Sequence, residues 1–120
     1  MDILIKNKNG LNSKKWGSIF WYFLHIISLN YPIEPSEKEK LYFFYVIKSL
    51  QYILPCKKCR IHIKKNLKEM KYNNKKYYKN RKNFILLIFK IHNKVNSQLG
   101  KEKKKIKIIH KYDKKYRVNN

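Results

Sequence analysis

Breakers, cysteines and acidic side chains are all scarce in this 120-residue chain. With only three Gly and three Pro, little interrupts the apolar-periodic segments, and the period is helical, so a sheet of alternating strands is not expected. Two Cys cannot supply the multi-bridge framework of a small secreted domain. The longest apolar stretch, Ile19 to Leu29, is interrupted by His25 and Ser28 and falls short of the roughly 20 residues a membrane span needs. The opening residues carry only a three-residue apolar run before Lys6, so no secretory signal is expected and the chain reads as soluble. The length leaves room for one domain and excludes a large multidomain enzyme.

What is abundant is positive charge and aromatic surface. Thirty Lys and Arg stand against seven Asp and Glu, a formal net charge of +23, and ten Tyr, six Phe and two Trp are far more than a disordered basic tail carries. The chain is therefore expected to fold around a core. The lysines are spread through every segment together with much Asn, Ile and Tyr, as compositional drift over a solvated surface would leave them. The alternative is an electrostatic footprint for nucleic acid or another polyanion.

The punctuation predicts a four-helix bundle. Ser13 is placed to cap a helix over about 14–29, with Trp16, Ile19, Phe20, Phe23, Leu24 and Ile27 on its apolar side and Tyr31-Pro32 ending it. Ser36 and Glu39 form a capping-box pattern for a helix over about 37–54, with Leu41, Phe44, Tyr45, Ile47 and Lys48 as a broad buried face. Pro55 precedes a helix over about 56–70 carrying Cys59, Ile63 and Leu67 at a spacing of four. Residues 71–79 read as a polar link, and a fourth helix over about 82–99 stops at Gly100. Residues 106–120 are expected to form a short, loosely packed C-terminal helix and a basic tail, and residues 1–12 an N-terminal extension.

The chemical lead is Cys56-Lys57-Lys58-Cys59 at a helix start, where orphan amides, the helix dipole and the nearby cations Lys57, Lys58 and Arg60 favour a thiolate. Alone the motif fits a redox pair, half a zinc site or two packed thiols. A thioredoxin-like setting is disfavoured because no strand pattern precedes Cys56. Zinc would need two of His25, His62, His92 and His110, and no second ligand pair with metal-like spacing follows. Elsewhere Gly17, Trp21 and His25 fall four apart, as do His92 and Asn96, so each set lies along one helix face. His62 and His110 read as surface residues and Met70 as packing.

Taken together, Trp16-Gly17-x-x-x-Trp21-x-x-Leu24-His25, Tyr31-Pro32, Pro55-Cys56-x-x-Cys59 and His92-Asn93-x-Val95-Asn96 followed by Leu99-Gly100-Lys101 resemble the Erv/ALR family of FAD-linked sulfhydryl oxidases. The resemblance covers about residues 13–105 and implies an all-α bundle holding FAD. By motif position, Trp16, Gly17, Trp21, His25 and Tyr31 would serve the cofactor from the first helix, and His92, Asn93, Val95, Asn96 and Lys101 from the fourth. Cys59 would lie next to the flavin and Cys56 outward. Tyr112 and Tyr116 stand where many members have tryptophans.

The implied activity is disulfide formation in protein substrates. Electrons would pass from a dithiol through Cys56 and Cys59 to FAD and then to oxygen, yielding hydrogen peroxide. With no second CxxC in the chain, the donor is expected to be a separate small dithiol protein. The resemblance further implies a homodimer through the first two helices, with apolar area from Trp16 to Phe23 and Leu41 to Val46. The expected setting is the cytoplasm of a virus-infected cell or the virion, with the mitochondrial intermembrane space as the alternative. The competing function is a small basic nucleic-acid-binding protein with a zinc site at the CxxC.

Overall fold

In the computed structural model, which describes residues 1–118, the described residues form α-helices and one 3-10 turn and no strand. The elements are α1 (Asp2–Lys6), α2 (Ser13–Leu29), α3 (Glu37–Ile53), α4 (Lys57–Met70), a 3-10 turn (Lys75–Tyr78), α5 (Arg81–Gln98) and α6 (Lys107–Tyr116). Helices α2 to α5 make the expected bundle: α5 packs on α2 and α4, α3 packs on α4, and α6 lies against α2. None of the described helices is long and apolar enough to cross a membrane. Residues 119 and 120 of the expected basic tail lie outside the described residues.

Helix starts follow side-chain capping. Asn12, not Ser13, is the cap of α2: its side chain accepts from the Lys14 amide at 3.0 Å, one residue earlier than expected, and asparagine caps as well as serine. At α3 the capping box closes in both directions, with the Ser36 amide donating to Glu39 Oε1 at 2.9 Å and the Glu39 amide donating to Ser36 Oγ at 3.1 Å. Gly100, at φ +69°, ends α5 in a Schellman turn in which Lys101 N–H donates to the Asn96 carbonyl and Gly100 N–H to the Ser97 carbonyl.

The core is one cluster built largely from α5, where Phe84, Leu87, Ile88 and Ile91 are fully buried, with Ile63 and Leu67 from α4 and Ile47 and Leu50 from α3. The broad buried face expected of α3 is narrower in the structure. Leu41, Tyr45 and Lys48 are exposed, because α3 meets the bundle along one side only. On α2, Ile19 and Phe23 likewise face out. The stretch expected to be a polar link is instead part of the core. Tyr77 and Tyr78 plug the bundle there, their hydroxyls donating to the Met70 and Tyr72 carbonyls, so the rings are buried without orphaned polar atoms. The N-terminal extension carries the helix α1, which the sequence did not announce.

Candidate redox and cofactor site

Pro55 sets the start of α4, and Cys56 becomes its N-cap, its sulfur accepting from the Cys59 amide at 3.2 Å. Cys56 and Cys59 are joined as a disulfide with their Cα atoms 5.1 Å apart. Cys59 is half-buried against the core cluster, whereas Cys56 sits at the helix mouth. Arg60 turns back to donate to the Leu54 carbonyl, pinning the chain on either side of the pair.

Against the same core cluster pack Trp16, Phe20 and Trp21 from α2 and Val95 from α5. Trp16 meets Phe20 edge-on at 6.0 Å, Phe20 meets Trp21 at 4.9 Å, and Trp21 stacks on His92 at 4.4 Å with the planes 5° apart. His92 Nδ1 lies 2.9 Å from His25 Nε2, a hydrogen bond in which one ring donates to the other. Gly17 lies two helical steps before His25 on this face, and a Cβ added there would meet nothing within 4 Å. Both histidines are held neutral. Burial first, then Lys104, pushes His25 down to about 4; burial, then His25 and the cations Lys104 and Lys101, pushes His92 down to about 3.

The remaining candidates divide. Asn93 exchanges two hydrogen bonds with the backbone of Lys104, closing residues 101–106 back onto α5. Asn96 is buried, and its carbonyl fixes Lys101. Tyr31 is not brought to the Trp21–His92 array. It is wholly buried, its ring stacked 4.6 Å from Phe84 and edge-on to Phe43, its hydroxyl donating to the Tyr78 carbonyl. Burial, with Glu39 adding, pushes its hydroxyl up to about 12. Tyr112 approaches His25 at 6.2 Å and Tyr22 at 4.8 Å, and Tyr116 shares a hydroxyl contact with Tyr22, so both C-terminal tyrosines border the array. His62 and His110 are exposed and Met70 packs on the core.

Sequence reasoning missed two features of the site. Phe20 bridges the two tryptophans, and its place four residues after Trp16 was a usable signal. A polar seam joins α4 to α5: Asn66, fully buried, exchanges two hydrogen bonds at 2.9 and 2.7 Å with the exposed Gln98, and Lys94 pairs with Glu69 at 2.6 Å. It binds the helix bearing the disulfide to the helix bearing His92.

Among the described residues, no group of three or more His, Cys, Asp or Glu side chains is placed to hold a metal ion. The arrangement suits a flat, anionic cofactor. His25 Nδ1 is buried with no hydrogen-bond partner, the only such side-chain atom among the described residues; the aromatic array borders it, and Lys101 and Lys104 supply positive potential.

Comparison with known proteins agrees with this geometry. A probable FAD-linked sulfhydryl oxidase of Acanthamoeba polyphaga mimivirus is 35% identical over 92 residues, 77% of this chain and 64% of the relative, so the chain spans just under two thirds of that protein. An FAD-linked sulfhydryl oxidase of African swine fever virus is 32% identical over 87 residues, covering 72% of this chain and 70% of the relative. The crystal structure of the yeast Erv1 core superposes with a TM-score of 0.73 over 93% of this chain and 89% of that one, at 22% identity, a likeness of fold. Residues 18–117 match the Erv1 / Alr family, and the chain belongs to that family.

Proposed function

We propose that this chain is an FAD-dependent thiol oxidase that makes disulfides in protein substrates and passes the electrons to oxygen, with hydrogen peroxide as product. The observation that carries the reading is a disulfide at a helix N-terminus, with Cys59 packed on the core cluster that Trp21 also packs on, and Trp21 stacked on a His92 that is hydrogen-bonded to His25, whose buried Nδ1 lacks a partner. The names of the viral relatives add to it.

Thiol–disulfide exchange is the part this chain's own residues perform. A substrate thiolate attacks Cys56 Sγ, the Cys56–Cys59 bond breaks, and Cys59 leaves as a thiolate. The substrate's second thiol then attacks the mixed disulfide, expelling Cys56 and leaving the substrate oxidised by two electrons and the pair reduced. The amides of the first turn of α4 and its dipole stabilise the thiolates, and Lys57, Lys58 and Arg60 add charge of the favourable sign. FAD, when bound, supplies a two-electron acceptor for the reduced pair and reactivity toward oxygen. Trp16, Gly17, Trp21, His25, His92, Asn93, Val95, Asn96, Lys101 and Cys59 are the residues that would hold or face it. Trp21 and His92 offer flat faces, His25 a hydrogen-bonding nitrogen, and Lys101 a phosphate counter-charge.

The same reading carries a homodimer, supported by the outward-facing Ile19 and Phe23 of α2 and Tyr42, Tyr45 and Val46 of α3, an apolar surface unusual for a monomer. A dithiol protein is the expected donor, and the viral relatives favour the cytoplasm of an infected cell. Purification tests the cofactor assignment. The full chain should carry visible flavin absorbance that is released as FAD on denaturation, and His92→Ala should release it far more readily. Protein that neither retains nor takes up FAD contradicts the proposal.

A further inference from the structure

Residues 10–12 are clamped beside the disulfide. The Leu11 amide donates to the Pro55 carbonyl at 3.2 Å, a Cβ on Gly10 would stand 3.8 Å from that same oxygen, and the Leu11 carbonyl accepts from Trp16 Nε1 at 3.2 Å. The N-terminal arm is thereby fixed one residue from Cys56. Beyond the clamp the arm turns into α1, whose aliphatic side chains are almost wholly solvent-facing: Ile3 is 87% exposed, Leu4 75% and Ile5 70%. Together with Met1, Asn7, Asn9 and Leu11, Ile3 and Leu4 line a hollow of about 470 Å³. Tyr52 and Ile53, at the end of α3 and a few residues before Cys56 in the chain, are exposed too. Folding the chain alone leaves this apolar surface uncovered, and the clamp at Gly10 and Leu11 tethers the arm that carries it to the residue before Cys56.

The charge around it has one sign. Lys6, Lys8, Lys14 and Lys15 on the arm and the start of α2, and Lys57, Lys58 and Arg60 after Cys56, face a single carboxylate, Asp2, within the same two segments. None of these seven cations is in an ion pair among the described residues. Surface cations interleaved with aliphatic side chains suit a peptide carrying both acidic and aliphatic residues better than they suit nucleic acid, which would leave Ile3, Leu4 and Ile5 in water.

We propose that the N-terminal arm and the Cys56 loop form one docking surface for an acidic, leucine-bearing segment that flanks the dithiol of the protein substrate. The proposal rests on the thiol-oxidase reading. The arm holds no cysteine, so it acts by recognition and not as an electron carrier. Docking of the flanking segment brings the substrate's thiol to Cys56 Sγ and raises its local concentration there.

The test uses the full chain loaded with FAD and three donors: dithiothreitol and two synthetic peptides. Both peptides contain Cys-Gly-Gly-Cys, one flanked by Leu and Glu, the other by Gly and Gln. Oxygen uptake gives KM and kcat for each. The wild-type KM should be about ten-fold lower for the Leu/Glu peptide. The triple variant Ile3→Ser, Leu4→Ser, Ile5→Ser should lose that advantage, with kcat, dithiothreitol turnover and thermal melting unchanged. Equal KM values for the two peptides, or a triple variant that keeps the preference while oxidising dithiothreitol normally, overturns the docking surface and leaves the oxidase reading intact. A wild-type protein that oxidises none of the three overturns the oxidase reading itself. If single-stranded DNA inhibits the wild type and the triple variant alike and abolishes the peptide preference, the cations serve nucleic acid and the proposal also fails.

Discussion

Replacing His92 by Phe separates the two things its ring does. A phenyl ring can keep the stack on Trp21, now 4.4 Å and 5° from parallel, but it removes the Nδ1 atom 2.9 Å from His25 Nε2. His25 is 2% exposed and its other nitrogen already has no partner, so the variant leaves both its ring nitrogens unsatisfied in the core. A buried polar group stripped of its partner costs about 1–3 kcal/mol. His25→Leu strands His92 Nδ1 in the same way, while the double variant His25→Leu, His92→Phe strands neither. The expected coupling between the two sites is therefore about 1–2 kcal/mol, the double variant being more stable than the sum of the singles implies. His92→Ala should cost more than His92→Phe by the lost stack, about 0.5–1.5 kcal/mol, plus the void it opens. Urea unfolding of the FAD-free protein near pH 8, with the disulfide intact, measures each loss. With a slope of about 1–3 kcal/mol per molar, a loss of 2 kcal/mol moves the midpoint by roughly 1 M. Single-variant losses that add within about 0.5 kcal/mol in the double variant would refute the account of the pair as a hydrogen bond that holds the array.

The same pair sets an acid sensitivity. Unfolded, both histidines titrate near their ordinary value of about 6.5; folded, they bind protons only near 4 and 3. The unfolded state thus takes up more protons, and stability falls as pH drops from about 6.5 toward 4. Urea midpoints across that range should slope downward in the wild type and flatten in the double variant; an equal slope in both removes the histidines as the cause. Gly17→Ala should act with opposite signs on fold and cofactor. A mid-helix Gly with open space around it gains about 0.5–1 kcal/mol on becoming Ala, while an added methyl on the cofactor face weakens FAD binding. Flavin fluorescence titration and thermal melting of the FAD-free protein measure the two effects, and unchanged FAD affinity in a stabilised variant would take Gly17 out of the site.

The bundle was legible because its punctuation is local. Pro32, Pro55 and Gly100 stop or start helices, Ser36 and Glu39 close a capping box, and the spacing of Cys59, Ile63 and Leu67 marks the buried stripe of α4. Apolar spacing says which residues share a face but not how much of that face a neighbour covers. Leu41 and Tyr45 therefore looked like core and are exposed. Tyrosine misled in the opposite direction, since a ring whose hydroxyl finds a carbonyl can be buried inside a lysine-rich stretch, as Tyr77 and Tyr78 are. In the site, the faces bearing Trp21 with His25 and His92 with Asn96 could be read from a spacing of four. That the two faces meet, with His25 bonded to His92, depends on how α2 crosses α5, and no short-range pattern records it. Tyr31 shows the same limit: beside Pro32 it reads as part of the motif, and the turn after α2 carries its ring into the core against Phe84.

Oxygen consumption on adding dithiothreitol to the FAD-loaded protein tests the central claim most directly, with wild type and Cys59→Ser measured side by side. The account predicts uptake with hydrogen peroxide formed in step with dithiol oxidised for the wild type, and loss of nearly all of it in Cys59→Ser although FAD remains bound. Absence of uptake by flavin-loaded wild type, or equal uptake by Cys59→Ser, would contradict it.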